Sequence, residues 1–158
     1  MADMTFTLAL EALLAVLLVV AAAIDVRTYT ISNRLNLIVA GLGIAYWFAA
    51  GLMPWPDVAI RLAMAAGVFT VLALAFQIGM MGGGDVKLAA ALALWFPPLA
   101  TVKLLIIMSI AGGLLSVVIL ILHRRRKAEG KPKVPYGVAI AAGGLAILAQ
   151  RFLNQFAG

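Results

Sequence analysis

The sequence contains no cysteine and a single histidine, His123, among its 158 residues. The absence of cysteine excludes disulfides, thiolate nucleophiles and thiolate metal sites, and one imidazole cannot form a histidine cluster. Charge is also scarce, because 11% of the residues are charged against about one quarter in typical soluble domains. Any chemistry must therefore come from carboxylates, hydroxyls or amines, and we expect neither a metal nor another cofactor.

Apolar residues dominate what is present. They make up 65% of the chain, and the mean hydropathy is +1.13. Because about 20 apolar residues are needed to span the hydrocarbon core, we predict an all-α membrane protein, a bundle of six transmembrane helices in a single domain, 1–158. The predicted helices cover 5–24, 37–53, 58–78, 86–97, 100–122 and 136–156. The fourth is short, so its neighbours must shield it or the bilayer must become thinner around it.

The net charge of +6 is interpreted as a topology signal rather than a nucleic-acid surface. Nine cations fall on one side of the predicted membrane: Arg27, Arg34, Lys87, Arg124, Arg125, Arg126, Lys127, Lys131 and Lys133. Three fall on the other: Arg61, Lys103 and Arg151. The excess of Lys and Arg on cytoplasmic loops predicts that the first side is cytoplasmic, that both termini lie outside, and that the basic run contacts anionic lipid. The tryptophans, Trp47, Trp55 and Trp95, are expected at the outer interface.

Topology brings two distant acids to one depth. Asp25 ends the first predicted helix and Asp85 opens the fourth, both at the cytoplasmic side. The other acids, Asp3, Glu11, Asp57 and Glu129, are expected at hydrated ends or loops. Acids near the apolar phase are costly and therefore indicate a function. We predict that Asp25 and Asp85 face each other in the bundle.

Asp85 follows three glycines, Gly82, Gly83 and Gly84. We expect these glycines to adopt conformations closed to other residues and to let an extended substrate backbone approach Asp85. A simpler alternative is that Asp85 caps the helix that begins there. Asp25 lacks that explanation, because it lies at a helix C-terminus, where the dipole disfavours negative charge.

Two converging carboxylates cannot both ionise freely, so they would share one proton. That is the working state of an aspartyl protease, in which one carboxylate takes a proton from water while the other protonates the developing oxyanion. We assign Asp85 as the base and Asp25 as the acid, although coupled groups titrate as a pair.

Three blocks of sequence carry a family resemblance. Gly82-Gly83-Gly84-Asp85 matches the Gly-x-Gly-Asp signature of intramembrane aspartyl proteases, and Gly84-Asp85-Val86-Lys87-Leu88 resembles the second motif of type IV prepilin peptidases. Their first-aspartate motif is similar to Ala22-Ala23-Ile24-Asp25-Val26-Arg27 with Ile31-Ser32-Asn33. The opening of their last helix is similar to Pro135-Tyr136-Gly137-Val138-Ala139. The chain thus resembles the short form that serves Flp or tight-adherence pili.

The resemblance implies cleavage of the basic leader of prepilin-like precursors, usually after glycine, at the cytoplasmic side of the bacterial inner membrane. Ser32 stands where the family commonly has proline, and Ser32 or Asn33 can cap the second helix instead. The cysteine-bearing cytoplasmic domain of longer members has no counterpart in this sequence, so methylation of the new N-terminus is not expected.

Four further residues are candidates to bind substrate or support the site: Arg27, Asn33, Lys87 and Tyr136. Lys87 has the alternative of snorkelling to the interface, and Arg27 that of a topology anchor. Asp57 and Arg61, four residues apart, are expected to form a helix cap and a surface pair. The pairs Gly112-Gly113 and Gly143-Gly144 are expected to allow close helix packing.

Two other functions remain open from the sequence. A protease similar to presenilin or signal peptide peptidase would carry its first aspartate after tyrosine, whereas Ile24 precedes Asp25. A small proton-coupled transporter subunit would also use intramembrane carboxylates, but we expect it to place them at several depths. The expected partners are prepilin-like substrates and membrane lipids, not nucleic acid, and the sequence does not indicate an oligomeric state.

Overall fold

The computed structural model describes residues 4–126, 130 and 132–156, and these residues form six α-helices and no strand. The helices are α1 (Met4–Thr28), α2 (Asn33–Ala49), α3 (Ala59–Gln77), α4 (Gly83–Trp95), α5 (Pro98–Arg125) and α6 (Tyr136–Phe156). A π-helical turn, Pro54–Val58, leads directly into α3. The all-α, six-helix prediction is confirmed. Asp3, Lys127, Glu129 and Lys131, which entered the topology argument, lie outside the described residues.

Four segments are long and apolar enough to cross a membrane. They are Met4–Thr28, Pro54–Gln77, Pro98–Arg125 and Tyr136–Gln155. Their length exceeds or matches the roughly 20 residues that a bilayer requires. The chain is therefore built as a multi-pass membrane protein.

The short helix α4 lies at the centre of the bundle. It packs against α2, α3 and α6, and Leu88, Leu92 and Trp95 along it are fully buried. Because other helices surround it, its 13 residues do not have to match the thickness of the lipid. The predicted shielding of the fourth helix by its neighbours is confirmed.

Two helix boundaries differ from the prediction in ways that matter for the site. Helix α2 begins at Asn33 rather than at residue 37, because the Ser32 hydroxyl caps it by accepting a hydrogen bond from the Leu35 amide at 3.3 Å. Helix α1 continues to Thr28 rather than ending at residue 24. Asp25 is therefore held inside a regular helical turn, with its side-chain direction fixed by the helix.

Close packing at glycine is confirmed at three of the four predicted positions. A Cβ atom at Gly144 would lie 2.7 Å from Leu18 Cδ1, and one at Gly143 would lie 2.9 Å from Leu104 Cδ1. A Cβ at Gly112 would lie 3.1 Å from the Tyr136 ring, whereas one at Gly113 would meet nothing within 4 Å. Helix α6 thus approaches α1, α4 and α5 closely where side chains are missing.

At the end of the bundle opposite Asp25, two predictions about charge are wrong. Glu11 is not hydrated but 3% exposed, and it forms an ion pair with Arg151 at 2.8 Å. Arg61 does not pair with Asp57, because it is buried and donates to the Trp95 carbonyl at 2.8 Å. Asp57 instead accepts a hydrogen bond from the Met53 amide. Partners from other helices, which a single-helix spacing rule cannot detect, take precedence.

Two of the three tryptophans do not face the lipid as residues of an aromatic belt would. Trp47 and Trp95 are buried, and their indole N–H groups donate to the carbonyls of Leu94 and Val39. Trp55 alone of the three is exposed. Buried indoles need a hydrogen-bond acceptor, and carbonyls near the end of α4 and within α2 supply it.

Candidate active site

Three helix ends meet at the Asp25 end of the bundle. The last turn of α1 carries Asp25, the first turn of α4 carries Asp85, and the first turn of α6 carries Gly137. Ile31, between α1 and α2, fills the space among them, since a Cβ at Gly84 would lie 2.5 Å from the Ile31 carbonyl oxygen and one at Gly137 would lie 2.7 Å from Ile31 Cδ1. The two acids, distant in the chain, are thus brought to one junction.

The Asp25 carboxylate is held by the start of α6. Its Oδ2 atom accepts a hydrogen bond from the Gly137 amide at 2.7 Å, and the Val138 amide also interacts with the carboxylate. The side chain is 1% exposed. Although Asp25 lies near the C-terminus of its own helix, its charge faces the positive end of α6, where anions are stabilised. The dipole of α1 therefore opposes this charge, as expected, and the start of α6 offsets that effect.

Asp85 occupies the first turn of α4 and caps it. Its Oδ2 atom accepts a hydrogen bond from the Gly82 amide at 3.1 Å, so the simple capping role is present. The residue is 7% exposed. Among the described residues, Oδ1 of Asp85 has no hydrogen-bond partner, which leaves this oxygen available for water or substrate. Asp85 can therefore cap α4 through Oδ2 while Oδ1 contacts water or substrate.

Ile31 connects the surroundings of the two carboxylates, because it packs against Gly84, next to Asp85, and against Gly137, whose amide binds Asp25. Two like charges in a buried setting are unfavourable, because little water is present to screen them. The amides of Gly82 and Gly137 offset part of this cost without neutralising either acid. No basic side chain donates to either carboxylate in the part of the chain that the structure describes.

A cleft of about 580 Å³ opens beside Asp85. It is bounded by 28–30 at the end of α1, 79–82 before α4, 132–134 before α6, and the side chains of Ser116 and Tyr136. The Tyr136 hydroxyl lies 3.2 Å from Ser116 Oγ across it. Tyr136 therefore borders the cleft, as the sequence suggested, whereas Asp25 is not among the residues that line it.

The three glycines have different surroundings. Gly82 has φ −79° and ψ 148°, and none of the three has a positive φ, so the expectation of conformations closed to other residues is wrong. Gly79, with φ 75°, makes the turn instead. Gly83 has ordinary space against Phe76, but Gly84 is tightly packed on the Ile31 backbone. The backbone that approaches Gly84 closely is therefore that of Ile31, whereas a substrate backbone was expected there.

Two predicted supporting residues, Lys87 and Asn33, bind each other outside the cleft. Lys87 Nζ donates to Asn33 Oδ1 at 2.8 Å, a bond that joins α4 to α2. Lys87 follows Asp85 by two residues, so its side chain leaves the helix about 200° away from that of Asp85. Arg27 is exposed near the end of α1 and also does not line the cleft.

Three residues that build the site were not predicted as site residues: Ile31, Ser116 and Gly137. Gly137 lies in the block Pro135–Ala139 that carried the resemblance, so its position was signalled but its contact with Asp25 was not. Ile31 likewise lies in a block that carried the resemblance, Ile31-Ser32-Asn33, but its packing between the two acids was not signalled. Ser116 gave no signal, because a serine is unremarkable in an apolar helix. Within the described residues, no three His, Asp or Glu side chains cluster in a way that could hold a metal ion.

The fold and the site together define a multi-pass helical membrane protein with two buried carboxylates beside a cleft at one end. The chain matches the type IV leader peptidase family over residues 12–117, which is more than half of its length. It belongs to that family, and a peptidase function follows from membership. We find no significant match among curated proteins or solved structures. Asp25 and Asp85 lie inside the matched segment, whereas Tyr136 and Gly137 lie beyond it.

Proposed function

We propose that this peptidase is an aspartic endopeptidase that removes the basic leader of prepilin-like precursors. The observation that supports it best is the pair of buried acids, Asp25 from α1 and Asp85 from α4, which lie at one junction of helix ends beside a cleft of about 580 Å³. Family membership supports leader peptides as the substrate class. The short Flp type of pilin is the substrate that the sequence resemblance favours.

The chemistry uses one shared proton and one water. The ionised carboxylate takes a proton from the water as its oxygen attacks the peptide carbonyl carbon. The protonated carboxylate donates to the carbonyl oxygen, and a proton is then passed to the departing amine as the C–N bond breaks. Asp85, with its free Oδ1, is the base in this scheme and Asp25 the acid, although the two act as a coupled pair.

Asp25 must become accessible for this reaction. Its carboxylate is covered by Gly137 and Ile31, and the cleft reaches Asp85 alone of the two acids. Substrate binding therefore has to separate the start of α6 from the segment after α1. Tyr136, at the start of α6, and Thr30, after α1, both line the cleft. A substrate that enters the cleft therefore contacts the two segments that have to separate.

We place the acids at the cytoplasmic face of the bacterial inner membrane, with both termini of the single domain 1–158 outside. The described cations that support this orientation, Arg27, Arg34, Lys87, Arg124, Arg125, Arg126 and Lys133, lie towards the Asp25 end of their helices and loops. Positive charge favours the cytoplasmic side and its anionic lipids. The reaction requires no cofactor.

Buried Glu11 weakens one argument against a transporter. The expectation was that a proton path places acids at several depths, and Glu11 lies at the opposite end of the bundle from Asp25. Glu11 is, however, paired with Arg151, so it is held by an opposite charge. The family match supports the peptidase over the transporter.

The test is cleavage of a prepilin by purified protein in detergent. Asp25→Asn and Asp85→Asn keep a hydrogen-bond acceptor but remove the ionisable group, so each is expected to reduce cleavage by at least about 1,000-fold. Asp57→Asn, at an acid that binds Met53 outside the cleft, is the matched control and should cleave normally. Undiminished cleavage by either dyad variant would refute the proposal, provided that circular dichroism shows all variants folded.

A further inference from the structure

A second cavity lies between α3 and α5, deeper along the bundle than the cleft. It has a volume of about 330 Å³ and is lined by Ala63, Gly67 and Val71 of α3 with Leu105, Met108 and Ser109 of α5, among others. We call it the α3–α5 groove. The one polar side chain named here, Ser109, is satisfied by the carbonyl of Leu105. The groove therefore offers shape and apolar surface rather than charge.

The groove and the cleft both lie along α5. On this helix the groove ends at Ser109 and the cleft begins at Ser116, an offset of two helical turns or about 10 Å. On the other side the groove ends at Leu72, near the end of α3, and the cleft begins at Gly79, in the turn that follows α3. Ser109 and Ser116 share one face of α5, since a spacing of seven returns to the same side of a helix. The groove thus leads towards the cleft that contains Asp85.

The walls of the groove are poorly covered by the rest of the protein. The spans that contain α3 and α5 have 11% and 17% of their residues buried, against 28% for α1 and 44% for α6. Gly67, on the groove wall, has nothing within 4 Å of the position that a Cβ would occupy. Small residues at such a place let another helix approach closely within a membrane.

We propose that the α3–α5 groove receives the apolar membrane segment of the substrate and so delivers the preceding peptide bond to Asp85. This inference rests on the proposed peptidase function. The groove is apolar and lies at membrane depth, whereas the cleft is bordered by polar residues and loops, so a chain that changes from apolar to polar fits the two in succession. Helix-in-groove binding supplies the affinity, and the cleft supplies the chemistry.

Another groove on the surface does not have this relation to Asp85. It lies between α2, α3 and α4, has a volume of about 440 Å³, and ends at Asn33 and Lys87. Because Lys87 and Asp85 point to opposite sides of α4, a segment bound there would face away from the cleft. Continuity with the cleft therefore selects the α3–α5 groove as the binding site.

The first test fills the groove. Gly67→Leu adds a side chain where the structure has open space, and Gly41→Leu makes the same change on α2, also in open space but outside the groove and the cleft. Gly67→Leu is expected to lower kcat/KM for whole prepilin at least about tenfold, through KM, because the segment can no longer seat closely. A short peptide that spans the cleavage site but lacks the apolar segment should be cut equally well by both variants.

The outcomes separate the two proposals. If the aspartate variants are inactive but Gly67→Leu processes prepilin like the control, the groove proposal is wrong and the peptidase proposal stands. The same result would show that a lipid or no ligand fills the groove. If the aspartate variants remain active, the peptidase proposal fails first. Loss of prepilin and short-peptide cleavage together in Gly67→Leu would also overturn the groove proposal, because the defect would lie in the cleft.

The second test maps the contact directly and does not depend on activity. Since the chain has no cysteine, Val71→Cys and Val117→Cys give single thiols at two exposed valines, of which only Val71 lines the groove. In an Asp85→Asn background, a prepilin with one cysteine in its apolar segment should cross-link to Val71→Cys and not to Val117→Cys. Equal cross-linking at both, or cross-links only between two copies of the peptidase, would overturn the proposal.

Discussion

The two ends of the helical bundle both bury ionisable side chains, but they hold them in opposite ways. At one end, Glu11 and Arg151 form an ion pair, and the Arg151 guanidinium also lies 5.2 Å from the centre of the Phe96 ring. At the other end, Asp25 and Asp85 are both acids, have no cationic side chain bonded to them among the described residues, and accept hydrogen bonds from backbone amides. The first end is filled with side chains, whereas the second has a cleft.

The difference shows how buried charge can be interpreted in this membrane protein. A charge that is paired with an opposite charge and surrounded by rings stabilises one packed arrangement, although the pair costs solvation energy to bury. Two acids beside open volume have no opposite charge to stabilise them, and backbone amides offset only part of the cost of burial, so their placement indicates chemistry. The sequence presents all four residues simply as ionisable groups in apolar helices, and only their partners distinguish the two roles.

Breaking the ion pair should have the largest effect on stability. Arg151→Met leaves Glu11 buried without its cation, and we expect a loss of about 3 kcal/mol in the free energy of unfolding. Unfolding in mixed micelles with increasing SDS measures it. The double variant Glu11→Leu with Arg151→Met removes both charges and should recover most of the loss. A double variant less stable than Arg151→Met would contradict the conclusion that Arg151 stabilises this end by pairing with buried Glu11.

Gly137→Ala tests the opposite end through activity rather than stability. Its Cβ would lie 2.7 Å from Asp25 Oδ2 and 2.7 Å from Ile31 Cδ1. Asp25 must therefore move, and a displacement of this kind is expected to reduce the rate of prepilin cleavage by about 100-fold. Gly113→Ala, in open space, is the control. If Gly137→Ala cleaves at the normal rate, Asp25 does not need the position that α6 gives it.

The neighbouring glycines Gly84 and Gly83 form a matched pair with a smaller expected effect. A Cβ at Gly84 would meet the Ile31 carbonyl oxygen at 2.5 Å, whereas one at Gly83 would lie 3.4 Å from the Phe76 ring. Backbone cannot move aside as a side chain can, so Gly84→Ala should lose about 2 kcal/mol of stability. Gly83→Ala should be neutral or slightly stabilising, since alanine favours helix. Equal effects would show that the glycine run is not needed for packing on Ile31.

Much of the fold could be predicted from hydropathy, because helix number and type depend on the length of apolar segments. The pairing of Asp25 with Asp85 at one end followed from counting helices between them. The burial of Glu11 and its ion pair with Arg151 could not be predicted, because the cation comes from α6 and no local pattern relates it to an acid in the third turn of α1. Long-range partners of this kind are visible only in the folded chain.

The same limit explains the site residues. The position of Tyr136 at the cleft was predicted from a sequence block, but the role of Gly137 depends on the direction from which α6 begins relative to Asp25. Lys87 was a candidate because it is near Asp85 in sequence. Two residues along a helix are close in number and opposite in direction, so proximity in the chain was misleading there.

Lys87→Met should therefore have a smaller effect than the changes at Arg151, Gly137 and Gly84. Its bond to Asn33 is exposed, and losing it should cost less than about 1 kcal/mol of stability. Because Lys87 does not line the cleft, prepilin cleavage should stay within about twofold of normal. Asn33→Ala removes the same bond from the other side and should match it in both measurements. A tenfold loss of cleavage in Lys87→Met alone would show that the cation contacts substrate, and the contrast between the faces of α4 would then no longer hold.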